Sequence, residues 1–267
     1  MKLRTLSLCL LLATLAVGTT SAQDWAKERL NKSPRHNEWI DLKHGDRTVK
    51  AFVVYPEVKT KAPAVLVIHE IFGLTDWAKN LADELAAAGY IAIAPDLLSA
   101  PGKDTQSYPD QDSAVKAVSG LQDAQVFGDL DAAAEYATKL PACNGTLAVT
   151  GFCWGGGKSF AYANHNSHLK AAFVFYGPGP ESAAQAANIP CRVYGFYAEN
   201  DARIGATIPQ TKEIMQKAGK TYEPVIYPGA GHGFMRAGEA PDASEANRKA
   251  HDSAWDRWKS LLKKMNG

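Results

Sequence analysis

The chain is 267 residues long, and 29 Lys and Arg against 28 Asp and Glu leave a formal net charge of +1. That balance excludes a bulk field able to attract nucleic acid or an anionic membrane, so specificity has to come from a site. No Pro/Ser/Gly linker, charge block or internal repeat divides the sequence, which is long enough for one α/β domain with a sizeable core.

Lys2 and Arg4 open the chain, an apolar stretch runs from about Leu6 to Val17, and Thr20-Ser21-Ala22 precedes Gln23-Asp24. This order of charge, short apolar core and small residues predicts a secretory signal peptide over 1–22, cleaved after Ala22, and a single domain over 23–267. The apolar stretch is shorter than the ~20 residues a membrane span needs, and no later one is long enough. Losing Lys2 and Arg4 takes the formal net charge from +1 to about −1. The expectation is an exported protein, periplasmic or secreted, that is a monomer and has neither membrane nor nucleic acid as partner. Cys9, preceded by Leu8, leaves with the leader. Cys143, Cys153 and Cys191 remain in a compartment that permits disulfides. If Cys153 is the free thiol, Cys143 and Cys191 are the natural pair, provided their Cα atoms lie within about 7 Å and no strand intervenes.

Extended runs at 38–42 and 48–55 flank His44-Gly45-Asp46 and predict an antiparallel hairpin at a sheet edge. Near-continuous apolar runs follow at 64–68, 91–94, 147–149, 171–176 and 193–197, the pattern of strands buried on both faces. Between them, Leu81, Leu85 and Ala88 share one face of a helix predicted over 77–89, and Phe127, Leu130, Ala134, Ala137 and Leu140 repeat at helical spacing. Further helices are predicted over 155–164, 209–218 and 243–264, and the polar stretch 99–113 reads as a loop over the site. Strands alternating with helices predict an α/β fold, a mostly parallel sheet with helices on both faces and ligands bound at the carboxyl ends of the strands.

Gly151-Phe152-Cys153-Trp154-Gly155-Gly156 follows the apolar run 147–149 and reads as a strand entering a sharp turn that presents a thiol above a helix N-terminus. That position favours thiolate over thiol; the alternative is a structural cysteine near a glycine-rich turn. A nucleophilic thiol needs a base, and the base needs an acceptor to hold its tautomer. His232, in a loop of small residues after Val225-Ile226-Tyr227, is the candidate base, whereas His36, His44, His165, His168 and His251 read as surface residues. Asp201 is preferred over Glu199 as the acceptor because it lies further into the bend after the strand at 193–197. Nucleophile, acid and histidine, each just past a strand, follow the chain order of an α/β-hydrolase fold.

From about Trp39 onward the chain resembles the dienelactone hydrolases (carboxymethylenebutenolidases). The resemblance rests on Val67-Ile68-His69-Glu70-Ile71-Phe72-Gly73, Ala94-Pro95-Asp96-Leu97, the stretch around Cys153, Tyr176-Gly177, Asn200-Asp201 and Gly231-His232-Gly233-Phe234-Met235-Arg236. It implies a cysteine-histidine-aspartate hydrolase, with Cys153, His232 and Asp201 in those roles, acting on a small lactone or enol ester without a cofactor. It also implies that Glu70 interacts with the resting thiol and helps activate it, and that Arg236 binds a substrate carboxylate. Backbone N–H groups of Ile71 and Trp154 are expected to form the oxyanion hole. The family's other carboxylate-binding arginine has no counterpart after Leu97, where the segment reads Leu98-Ser99-Ala100-Pro101-Gly102-Lys103 and Lys103 lacks the bidentate geometry. Other readings of the same triad are a broad carboxylesterase or a peptidase; outside catalysis, Cys153 could be a sensor thiol. No His/Cys spacing suggests a metal, and no G-x-G-x-x-G suggests a dinucleotide.

Overall fold

The structure is a computed structural model describing residues 23–266, so the expected signal peptide over 1–22 lies outside the described residues. The apolar runs pair into one sheet. Its strands in chain order are β1 (Asn37–His44), β2 (Arg47–Val54), β3 (Ala62–Ile68), β4 (Ile91–Pro95), β5 (Cys143–Phe152), β6 (Ala171–Phe175), β7 (Arg192–Asn200) and β8 (Tyr222–Gly231). Their spatial order is β1-β2-β4-β3-β5-β6-β7-β8. β1 and β2 form the expected edge hairpin, turning at Gly45 with φ +57°, and β2 runs antiparallel to β4; every remaining pairing is parallel. Every residue of β3, β4 and β6 is buried, as helices on both faces require.

The helices are α1 (Asp24–Asn31), α2 (Asp76–Ala87), α3 (Gln111–Ser119), α4 (Asp123–Lys139), α5 (Trp154–His165), α6 (Ala202–Gly205), α7 (Ile208–Lys217), α8 (Phe234–Glu239) and α9 (Glu245–Lys263). Successive strand side chains point to opposite faces, and β3 shows the consequence. Val65 and Val67 pack with Trp77, Leu81 and Trp258 of α2 and α9, while Leu66 and Ile68 pack with Leu130, Phe160 and Met215 of α4, α5 and α7. No helix among the described residues is long and apolar enough to cross a membrane.

The structure answers one open point, the Cys143–Cys191 pairing, and corrects two expectations. Cys143, Cys153 and Cys191 are all free. β6 lies between β5, which begins at Cys143, and β7, which follows Cys191, so the two cysteines stand at least two strand spacings apart, about 10 Å, beyond disulfide reach. First, the stretch read as a loop over 99–113 holds a 3₁₀ turn at Thr105–Ser107 and the start of α3, which Asp110 caps by accepting from the Ser113 N–H at 2.7 Å. Only Ala114 and Val118 of that helix are buried, too few to print a helical pattern, and they pack with Leu98 against Ile71 and Trp154. Second, His251 is no surface residue; its imidazole is 14% exposed, with Nε2 3.5 Å from Glu239.

Candidate active site

At the end of β5 the backbone turns at Cys153 with φ +56° and ψ −115°, a conformation non-glycine residues rarely adopt. The turn holds because the Cys153 N–H donates to the Phe175 carbonyl and its own carbonyl accepts from the Gly156 N–H, each at 3.0 Å. The flanking glycines have a steric reason. A Cβ on Gly151 would lie 1.9 Å from the Gly155 oxygen, one on Gly155 2.3 Å from the His69 oxygen, and one on Gly156 2.5 Å from the Phe175 oxygen. α5 therefore starts pressed against the ends of β3 and β6, with the Cys153 side chain at its N-terminus.

His232 follows the last residue of β8, and Gly233 after it takes φ +75°. Its Nδ1–H donates to Asp201 Oδ2 at 2.5 Å, which leaves Nε2 as the nitrogen available to the thiol. Asp201 is buried and caps α6 by accepting from the Ile204 N–H at 3.3 Å. Glu199, the competing carboxylate, is exposed and accepts instead from the Gly229 N–H at 2.8 Å. The hydrogen bond with Cys153, followed by that with Asp201, raises His232 to about 9 against the opposing effect of burial. Tyr176, at φ +40°, sets its ring edge-on to the imidazole at 5.1 Å and braces it.

Glu70 is 3% exposed, and its Oε2 accepts from Arg236 Nε at 2.7 Å. Burial pushes this carboxyl up, while the Arg236 charge and hydrogen bond pull it back. The partner that the structure gives Glu70 is thus the guanidinium; Arg236 in turn lies over the Phe72 ring at 5.3 Å. Ile71 sits in the turn closed by the Gly73 N–H on the Glu70 carbonyl at 3.2 Å. Trp154 is the first residue of α5, where an N–H has no intrahelical acceptor.

Cys153, Ile71 and Trp154 line one cavity of about 390 Å³ together with Lys158 and Arg203. Neither Arg236 nor Lys103 is in its wall. Lys158 is paired with Asp123 and lies over the Trp154 ring at 5.3 Å; Arg203 is exposed. Sequence reasoning missed both, although Lys158 is one helical turn past Trp154 and Arg203 two residues past Asp201. The motif Ala94-Pro95-Asp96-Leu97 has a structural task. Asp96 accepts from the Thr105 N–H and hydroxyl, both at 2.7 Å, and Thr105 Oγ1 accepts from the Leu74 N–H at 2.9 Å, so the loops after β3 and β4 are tied together. Among the described residues no group of three or more His, Cys, Asp or Glu is placed to hold a metal ion.

Comparison with known proteins shows the family of the chain. A model of the dienelactone hydrolase family matches residues 49–266. A Methylorubrum extorquens protein named "Putative carboxymethylenebutenolidase" is 38% identical over 200 residues, covering 71% of this chain and 69% of that protein. The crystal structure named as a "Putative Dienelactone Hydrolase" from Klebsiella pneumoniae is 30% identical with a TM-score of 0.75, covering 86% of this chain and 98% of that one. An esterase from Pyrobaculum calidifontis, 17% identical, shares the fold alone, with a TM-score of 0.67 over 91% of this chain and 90% of that one.

Proposed function

The chain belongs to the dienelactone hydrolase family as a carboxylic ester or lactone hydrolase, and within that family we propose an exported, cysteine-dependent enzyme that opens a small lactone or enol ester. The observation that carries the reading is His232, held by Asp201 at 2.5 Å and raised to about 9 chiefly by Cys153 at the strained turn. A base so placed takes the proton of the thiol as the sulfur attacks. The cavity of about 390 Å³ beside it suits a small molecule.

In the proposed reaction the Cys153 sulfur attacks the acyl carbon, and the Ile71 and Trp154 N–H groups hold the oxyanion. Collapse breaks the ester C–O bond, His232 protonates the departing enolate or alkoxide, and in a lactone that group stays tethered to the acyl part. Neutral His232 then takes a proton from water, which attacks the thioester; collapse returns the Cys153 thiolate, the imidazolium and the free acid. Only the protein's own groups are used, and the working unit is a monomer. Arg236 lies outside the cavity wall in its pair with Glu70, so it receives the carboxylate of an anionic substrate only when that pair opens, an exchange that frees Glu70 to act on the thiol. The leader over 1–22 supports export, and mass spectrometry of the exported protein is expected to find Gln23 at its N-terminus.

Wild-type and Cys153→Ala proteins, compared on cis- and trans-dienelactone and p-nitrophenyl acetate, test the proposal. The variant is expected to lose about 10³-fold or more in kcat. Turnover of the ester but not the lactones would replace the lactone reading with a carboxylesterase. Wild-type turnover that survives in Cys153→Ala would remove the cysteine from the mechanism.

A further inference from the structure

His69 directly follows β3, is fully buried and has no place in the triad. Its Nδ1 lies 2.7 Å from the Glu70 carbonyl oxygen. A carbonyl only accepts, so the proton sits on Nδ1 and the ring donates. Nε2 is buried without a hydrogen-bond partner. That suits a neutral ring, and burial lowers His69 from its usual value against the opposing pull of Asp96. The imidazole face stacks on the Trp154 indole, centroids 5.7 Å apart at 14°.

The Glu70 carbonyl and the Ile71 N–H are two ends of one trans peptide group and point in opposite directions. A hydrogen bond that aims the carbonyl therefore aims the N–H, and a donor on the carbonyl strengthens the N–H by polarising the group. The Gly73 N–H is a second, longer anchor on that carbonyl at 3.2 Å. We propose that His69 is a positioning residue that sets the Ile71 oxyanion-hole donor, its Nδ1–H orienting the Glu70–Ile71 peptide while its ring packs on Trp154. This rests on the reading of Ile71 and Trp154 as the oxyanion hole.

Three variants, His69→Phe, His69→Asn and Cys153→Ala, test it through two rates. One is hydrolysis of p-nitrophenyl acetate; the other is alkylation of Cys153 by iodoacetamide, a displacement of iodide by sulfur in which no oxyanion forms. His69→Phe keeps a ring and removes the donor, while His69→Asn brings an amide N–H close to the place of Nδ1. In His69→Phe, kcat is expected to fall about tenfold to a hundredfold with little change in KM, while alkylation stays within about twofold of wild type. His69→Asn is expected to recover most of that kcat. A His69→Phe variant with wild-type kcat, alkylation that falls in step with hydrolysis, or an Asn variant as slow as Phe would each overturn the proposal. Should His69→Phe fail to fold, His69→Asn decides alone, and a hundredfold loss with intact alkylation overturns it. Hydrolysis that survives in Cys153→Ala would sink the hydrolase site itself, whereas cysteine-dependent hydrolysis untouched in His69→Phe sinks only the role of His69.

Discussion

At His232 the direction of the pKa shift sets the pH behaviour. Its neighbours raise it to about 9, so the imidazolium persists from acid pH up to that value and the leaving group keeps its acid throughout. Above it the proton is lost, and expulsion of the leaving group has no acid. kcat/KM for an ester is therefore expected to fall along a limb near pH 9, and a profile still flat through pH 10 would contradict the pairing. Gly155 gives a second prediction. A Cβ there would meet backbone oxygens of His69 and Ile68 at 2.3 and 2.5 Å, which cannot rotate away. Gly155→Ala is expected to unseat the turn and abolish Cys153-dependent hydrolysis, measured beside circular dichroism to show what remains folded. At this scale much was legible, because the small residues around Cys153 and His232 betray their turns. The ion pair of Glu70 with Arg236 was not, since the two are 166 positions apart.

Among the elements, α8 links the site to the rest of the fold, carrying Arg236 at its middle and Glu239 at its end. The buried Glu239 carboxylate accepts from Trp77 Nε1 at 3.0 Å, Arg29 Nη1 at 3.1 Å and Asn80 Nδ2 at 3.5 Å, joining α8 to α2 and α1. Glu239→Ala leaves these donors without their acceptor and is expected to cost about 3 kcal/mol. A thermal melt should show Tm lower by roughly 10 °C, and an unchanged Tm would deny the cluster its structural role. The long helices and the buried strands were legible from period and run length. α1 and α3 were not, because only Ala26 in α1, and Ala114 and Val118 in α3, are buried.

For the whole molecule, strand order decides the state of the cysteines. An unfolded chain beginning at Gln23, isolated without reductant, is expected to titrate three thiols with Ellman's reagent, and a single thiol would mean a disulfide that β6 should prevent. In the native protein Cys143 is buried and burial pushes Cys191 up to about 12, so Cys153 should react first. The sequence by itself determined the kinds of element, the edge hairpin, the order of Cys153, Asp201 and His232 along the chain and the sharp turn at Cys153. Each depends on local sterics and hydrophobic period, which neighbouring residues dictate. Only the tertiary structure decided that Cys143 and Cys191 stand apart, that Arg236 pairs with Glu70 and that His69 lies against Trp154. Those relations arise when distant segments pack into one core, where strand order and the need to satisfy buried charge select the partners.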